Sequence, residues 1–97
     1  MYAMIRTFEN PELADALAAR SDEVESLIRR VDGLRSYHLI RTDAGVSSLT
    51  VCDDKASAEA SVQMVMEFFQ SHPELPQVKP QVTGGEVIVQ LGAVAAV

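Results

Sequence analysis

The 97-residue sequence contains no tryptophan and a single cysteine, Cys52. One cysteine excludes a disulfide within the chain and fits a reducing compartment. Cys52 ends a predicted strand and precedes Asp53 and Asp54, whose negative charge opposes formation of a thiolate. We therefore interpret Cys52 as a small, buried apolar side chain and not as a nucleophile.

Basic residues are also scarce, with 8 Lys and Arg against 14 Asp and Glu and a formal net charge of −6. Nucleic-acid binding needs clustered cations that neutralise phosphates, so this composition argues against that class of partner. The sequence has no apolar stretch of membrane-spanning length and no signal-peptide pattern at its start. We expect a cytoplasmic protein that binds neither nucleic acid nor membrane.

Candidate metal ligands are few. The two histidines, His38 and His72, are far apart in the sequence, and no third ligand lies at metal-binding spacing. The chain also lacks a phosphate-binding glycine loop and a Ser-His-Asp series of catalytic spacing. We expect no metal and no cofactor.

The most informative stretch that is present is a hairpin signal within residues 33–54. Residues 34–41 and 46–52 suit strands, and Thr42-Asp43-Ala44-Gly45 between them is typical of a tight turn. Alternation predicts one strongly apolar row and one mixed row, so we expect both faces of the sheet to be covered. The apolar row comprises Tyr37, Leu39, Leu49 and Val51.

Helices are predicted on both sides of the hairpin. Asn10-Pro11-Glu12 is typical of a helix start, and an apolar stripe follows as far as Val31, where Gly33 supplies a left-handed residue. Ser21-Asp22-Glu23 can cap a restart within this stripe. A second helix is predicted to start after Asp53 or Asp54 and to end at His72, because proline follows.

Strands at residues 2–8 and 86–91 complete the order β-α-β-β-α-β, with Gly84-Gly85 as a turn or bulge and residues 92–97 as an apolar tail. This order predicts an α+β, ferredoxin-like domain over residues 1–97, with two helices on one face of a four-stranded antiparallel sheet. The other face would expose apolar side chains, and a second copy can cover it by symmetry. We therefore expect a homodimer through the helix-free face.

The hairpin and the second helix start carry a family resemblance. The chain resembles the dimeric α/β barrel superfamily, near the antibiotic biosynthesis monooxygenase-like domains, in Gly33-Leu34, Tyr37, Asp43 to Gly45, Ser48 to Cys52 and Asp53-Asp54-Lys55. The resemblance implies a two-subunit barrel with a cavity between sheet and helices. Because this superfamily includes cofactor-independent monooxygenases, haem-degrading enzymes, isomerases and proteins without known activity, it does not determine the chemistry.

The chain departs from the enzymes of that superfamily. Those that oxidise polyketide quinones or degrade haem commonly rely on a cavity tryptophan and often on an asparagine. This chain has no tryptophan, and its only asparagine, Asn10, occupies the predicted helix cap. No catalytic residue is therefore carried over.

Three charged or titratable side chains remain as candidates for a site. Arg6 lies in a predicted central strand, where a charge needs a partner or water. His38 can act as a base or bind an anionic ligand, whereas His72 stands at a helix end that favours a cation. We expect any ligand site between sheet and helices, with these candidate residues: Arg6, His38, Thr50, Val65, Phe69 and His72.

Two functions stay open at this point. The first is a non-enzymatic or ligand-sensing homodimer whose cavity binds a small apolar or aromatic metabolite. The second is a cofactor-independent monooxygenase that uses Arg6, His38 and His72. The missing tryptophan and the few polar candidates favour the first, and the composition of the superfamily favours the second.

Overall fold

The computed structural model describes residues 1–91 of the chain. The elements are β1 (Tyr2–Phe8), α1 (Pro11–Ala18), α2 (Ser21–Ile28), β2 (Leu34–Arg41), β3 (Val46–Cys52), α3 (Lys55–Ser71) and β4 (Gln81–Glu86). The strands form an antiparallel sheet in the order β2-β3-β1-β4, and the helices lie on one side of it. This is the predicted ferredoxin-like arrangement, and the predicted tail at 92–97 lies outside the described residues.

The starts of α1 and α3 lie where local signals placed them. The stripe predicted to run as far as Val31 is divided into α1 and α2, and α2 begins at the candidate restart, Ser21, without a side-chain cap. Asn10 Oδ1 accepts a hydrogen bond from Leu13 N at 3.0 Å at the start of α1. Asp54 Oδ1 accepts one from Ser57 N at 2.8 Å at the start of α3, and this bond lowers the pKa of Asp54. Gly33 has φ of 78° in the connection from α2 to β2. No helix within residues 1–91 is long and apolar enough to cross a bilayer.

The strand register assigns side chains to the two faces of the sheet. Met4 lies opposite Thr50 and Arg6 lies opposite Ser48, and this row faces the helices. Most of the core fills the space between this row and the helices, and its largest cluster comprises Phe8, Leu13, Ala14, Leu17, Val24, Ile28, Val46, Phe68 and Leu75.

The opposite side of the sheet, named the helix-free face, carries the other row. Its residues are Ala3, Ile5, Thr7, Ser36, His38, Ile40, Ser47, Leu49, Val51, Gln81, Thr83 and Gly85. The predicted grouping of Tyr37 and Leu39 with Leu49 and Val51 is therefore wrong. The turn sets Arg41 opposite Val46, so Tyr37 lies opposite Thr50 and faces the helices.

The last strand is also displaced from its predicted position. It spans Gln81–Glu86 and not residues 86–91, so Gly84-Gly85 lies inside a strand and not in a turn. Gly84 pairs with Met4, and a Cβ at Gly84 would lie 2.8 Å from the hydroxyl oxygen of Tyr2. Tyr2 on β1 therefore leaves no room for a side chain at position 84, and the sequence around Gly84 does not reveal this steric requirement.

Candidate functional site

A cleft of about 540 Å³ opens on the helix side of the sheet, between α3, β1 and β4. It forms because α3 packs over β1 and β3, whereas β4 is exposed along its whole length. Its volume falls within the range of roughly 300–1,000 Å³ that is usual for small-molecule sites. This helix-side cleft is lined by Arg6, Phe8, Val62, Val65, Met66, Phe69, Gln70, Gln77, Val78, Lys79, Pro80 and Val82.

The centre of the layer between helices and sheet, by contrast, is almost filled. Only a void of about 30 Å³ remains there, bordered by apolar side chains that include Leu17, Val24 and Leu39. A second groove, of about 400 Å³, opens at the opposite edge of the sheet between α2 and β2. The helix-side cleft differs from it in that the buried Arg6 lines it.

Arg6 is the buried polar residue among those that line the cleft. Its side chain is fully buried, with 1% of its surface exposed. Nη2 donates to Ser61 Oγ at 2.8 Å, and Nη1 donates to Thr50 Oγ1 at 3.4 Å. Nε is buried and has no hydrogen-bond acceptor among the described residues. Both partners are neutral hydroxyls, so the hydrogen bonds orient the guanidinium without balancing its charge.

Two further titratable groups lie close enough to Arg6 to affect it. Burial lowers the pKa of Arg6, and the nearby Tyr37 and Cys52 oppose this shift. Burial raises the pKa of Tyr37, and burial together with Asp53 and Asp54 raises the pKa of Cys52. Tyr37 and Cys52 therefore stay neutral near pH 7 and supply no counter-charge. The buried, protonated thiol agrees with the interpretation of Cys52 as an apolar side chain.

Aromatic and amide side chains hold the walls of the cleft. The rings of Phe8 and Phe69 lie 5.6 Å apart between centroids, a distance typical of packed aromatic pairs. Gln77 Nε2 donates to the carbonyl oxygens of Leu75 at 3.0 Å and His72 at 3.3 Å. These bonds fix the segment after α3 against the end of that helix. The wall formed by residues 78–80 is thereby positioned over the sheet.

Most of the predicted site residues come together at this cleft. Arg6, Val65 and Phe69 line it, and Thr50 lies behind Arg6 as its hydrogen-bond partner. Ser61, which is not among the predicted site residues, is completely buried and accepts a hydrogen bond from Arg6. Ser61 follows Ala58 by three residues and precedes Val65 by four, so the helical stripe itself places it toward the sheet.

His38 does not share this space. It lies opposite Leu49 on the helix-free face and is exposed. The predicted site containing both Arg6 and His38 is therefore not formed within the described chain. The physical reason is alternation: the strand that turns Tyr37 toward the helices turns its neighbour away from them.

His72 lies in a different groove, between α2 and α3. Its ring stacks on Phe68 with 4.3 Å between centroids. Nδ1 is 2.8 Å from the carbonyl oxygen of Phe68, and Nε2 is 3.0 Å from a carboxylate oxygen of Glu23. These contacts link the end of α3 to α2. His72 therefore does not reach the helix-side cleft, and its position fits the structural helix-end role.

Within residues 1–91, no group of three or more His, Cys, Asp or Glu side chains is arranged to hold a metal ion. No protein-family model matches the chain, and no curated protein matches it significantly.

Solved structures do match the chain. MhuD, solved with two manganese protoporphyrin IX molecules per active site, is 16% identical, with a TM-score of 0.74 over 95% of this chain and 99% of that one. A monooxygenase from the gene ActVA-Orf6 of Streptomyces coelicolor, in complex with nanaomycin D, is 14% identical, with a TM-score of 0.66 over 93% and 88%. A putative antibiotic biosynthesis monooxygenase from Chloroflexus aurantiacus is 20% identical, with a TM-score of 0.65 over 95% and 97%. At these identities the matches show a shared fold, and they confirm the resemblance at that level.

Proposed function

We propose that this chain, which has the fold of antibiotic biosynthesis monooxygenase-like proteins, binds a small apolar or aromatic metabolite in the helix-side cleft. The observation that carries the proposal is Arg6, a buried cation with an unpartnered Nε at the base of a mostly apolar cleft. A buried polar group without a partner destabilises the protein, so its retention is typical of a site that a ligand completes.

The proposal includes a homodimer through the helix-free face. Ile5 and Ile40 on this face are 44% and 47% exposed in the single chain, and Ile88 beyond β4 is 90% exposed. Exposed apolar side chains on a continuous sheet surface favour association, and a two-fold axis lets one surface cover its own copy. Because the cleft lies on the helix side, such a dimer leaves it accessible.

Replacing Met66 with glutamate is expected to weaken binding of a neutral apolar probe about tenfold. Met66 lines the cleft and is 50% exposed, so the fold tolerates the change, but the new carboxylate loses water when the probe enters. The measurement is a fluorescence titration with N-phenyl-naphthylamine, which is undisturbed by tryptophan because the chain has none.

The matched control is Gln63→Glu. Gln63 is an exposed residue of the same helix that does not line the cleft, and it receives the same added charge. Its affinity should equal that of the unchanged protein. Equal weakening in both variants would mean that the probe binds elsewhere, and the proposed site would then be wrong.

The second candidate function is a cofactor-independent monooxygenase. What favours it is again the buried guanidinium, because a cation in an apolar cleft stabilises a phenolate or enolate, the electron-rich form that reacts with oxygen. Of the three residues first considered for this chemistry, only Arg6 lines the cleft. In this function it would hold the anion of the substrate.

An oxygen electrode tests this alternative with anthrone as the substrate. The methylene group of anthrone becomes a carbonyl, so one oxygen atom stays in the product, the other leaves as water, and the substrate supplies the electrons. For an enzyme we expect uptake above the uncatalysed rate, with most of the gain lost in Arg6→Met. Uptake equal to that of buffer alone would exclude this activity toward anthrone and leave the binding function in place.

The lining residues do not fit a metalloporphyrin of the kind that MhuD binds. Among the described residues that line the cleft, Met66 is the one conventional haem-iron ligand, and there is no imidazole, thiolate or phenol.

A further inference from the structure

The charge on Arg6 is exceptional among the arginines of the described chain. Four other arginines form ion pairs with Asp or Glu, and all of those pairs lie at the surface: Arg20, Arg29, Arg35 and Arg41. Arg6 is the buried one, and within residues 1–91 no carboxylate lies within ion-pair distance of it. The protein thus places its least hydrated guanidinium where no side chain balances the charge.

Two hydrogen bonds fix the plane of the Arg6 guanidinium. Ser61 Oγ donates to the carbonyl oxygen of Ala58 at 2.5 Å, so its lone pairs are free to accept from Arg6 Nη2. Thr50 accepts from Nη1 on the other side. Guanidinium carries five N–H donors in a rigid plane, and the described contacts engage two of them. The remaining donors include Nε, which is held in place because the hydroxyls of Ser61 and Thr50 fix the guanidinium plane.

The surroundings of the guanidinium strengthen its attraction for an anion. Arg6 shares the cleft with Phe8, Val65 and Phe69, whose apolar surfaces exclude water and lower the local dielectric response. Lys79 lines the cleft too and is exposed, so it adds positive charge without being desolvated. No acidic side chain lines the cleft among the residues described.

We infer that the ligand is an amphipathic oxyanion, a carboxylate, phenolate or enolate on an apolar or aromatic skeleton, whose charged oxygen binds Arg6. This inference rests on the proposed function and names the class of ligand. A neutral carbonyl would satisfy Nε as an acceptor, but it would leave the buried charge unbalanced. An oxyanion both accepts the hydrogen bond from Nε and balances the charge, and hydrogen bonds between a guanidinium and an oxyanion are charge-assisted.

Two probes of matched shape test the inference. Naphthoate carries a carboxylate, and naphthamide replaces it with a neutral amide of the same size. Titrations followed by NMR of isotope-labelled protein give both affinities and locate the shifted amides. For the unchanged protein we expect naphthoate to bind about tenfold more tightly or better, with shifts at Val65, Phe69 and Val82.

Variants assign this preference to its side chain. Arg6→Met should bring the two affinities to within about threefold, chiefly by weakening naphthoate, and Lys79→Gln should keep most of the preference. Arg6→Gln serves as a second neutral variant if Arg6→Met does not fold. A preference that is lost in Lys79→Gln and kept without Arg6 would overturn the inference.

The two titrations of the unchanged protein distinguish a failure of this inference from a failure of the proposed binding function. If both probes bind the cleft with equal affinity, the inference fails and the binding function remains. If neither probe shifts any amide that lines the cleft, the binding function itself fails, and the assignment of an oxyanion fails with it.

Discussion

Arg6→Met is expected to raise the free energy of unfolding by about 1–4 kcal/mol, the range seen when buried ion pairs are replaced by packed apolar residues, because the variant removes a buried charge that no side chain balances. Methionine has a similar length and needs no counter-charge. Ser61 keeps its hydrogen bond to the carbonyl of Ala58 after the change. The buried hydroxyl of Thr50 loses its long bond from Nη1, and this loss offsets part of the gain. The measurement is urea unfolding followed by far-UV circular dichroism. A gain in stability together with a loss of anion binding is the expected mark of a residue kept for its ligand.

Arg35→Met is the matched control. Arg35 is an exposed arginine of β2 that pairs with Asp53, so the same substitution removes a surface ion pair. We expect a change within about 1 kcal/mol, because surface pairs stabilise weakly. If Arg6→Met is the less stable of the two proteins, Arg6 serves the fold, and the explanation of its burial by a ligand loses its support.

Ile5→Asp is expected to convert a dimer into a monomer. Light scattering after gel filtration should give the unchanged protein twice its chain mass of 10.5 kDa and the variant the chain mass alone. An aspartate buried without a partner costs several kcal/mol, so the dissociation constant should rise about 100-fold or more. Since Ile5 is 44% exposed in the single chain, the monomer should keep its circular dichroism spectrum.

Ala60→Asp provides the comparison on the other side of the molecule. Ala60 is exposed on α3, so its variant gains the same charge in the helix layer and should remain dimeric. Ile40→Asp, on the helix-free face, should weaken the dimer as Ile5→Asp does. A monomeric unchanged protein at micromolar concentration would contradict the proposed assembly, as would a dimer that tolerates both charges on this face.

Short-range chemistry explains which parts of the fold the sequence predicts. The helix starts at Asn10 and Asp54 and the left-handed Gly33 each depend on neighbours within a few residues. The position of β4 depends on Tyr2 and Met4, about 80 residues away. The local sequence Gly84-Gly85 does not indicate that it will pair with them. The order of the elements could therefore be predicted, whereas the bounds of the last strand could not.

The candidate site divides in the same way. Arg6 was identified because a charge in a central strand needs an explanation wherever its side chain points. The face on which His38 lies depends on how β2 pairs with β3, because a register shift of one residue moves every side chain to the other face of the sheet. Lys79 and Pro80 line the cleft because the irregular segment after α3 passes over it. That segment has no periodic pattern from which its path could be predicted.

The exposed strand β4 has a kinetic consequence. It joins the sheet through β1 alone, all six of its residues are exposed, and two of them are glycines, which gain the most entropy when released. Its opening free energy is therefore lower than that of β1 or β3, each of which has two neighbours. Because β4 is also a wall of the cleft, fraying of this strand would widen the opening through which a ligand enters. The packed core between the helices and the rest of the sheet would stay intact.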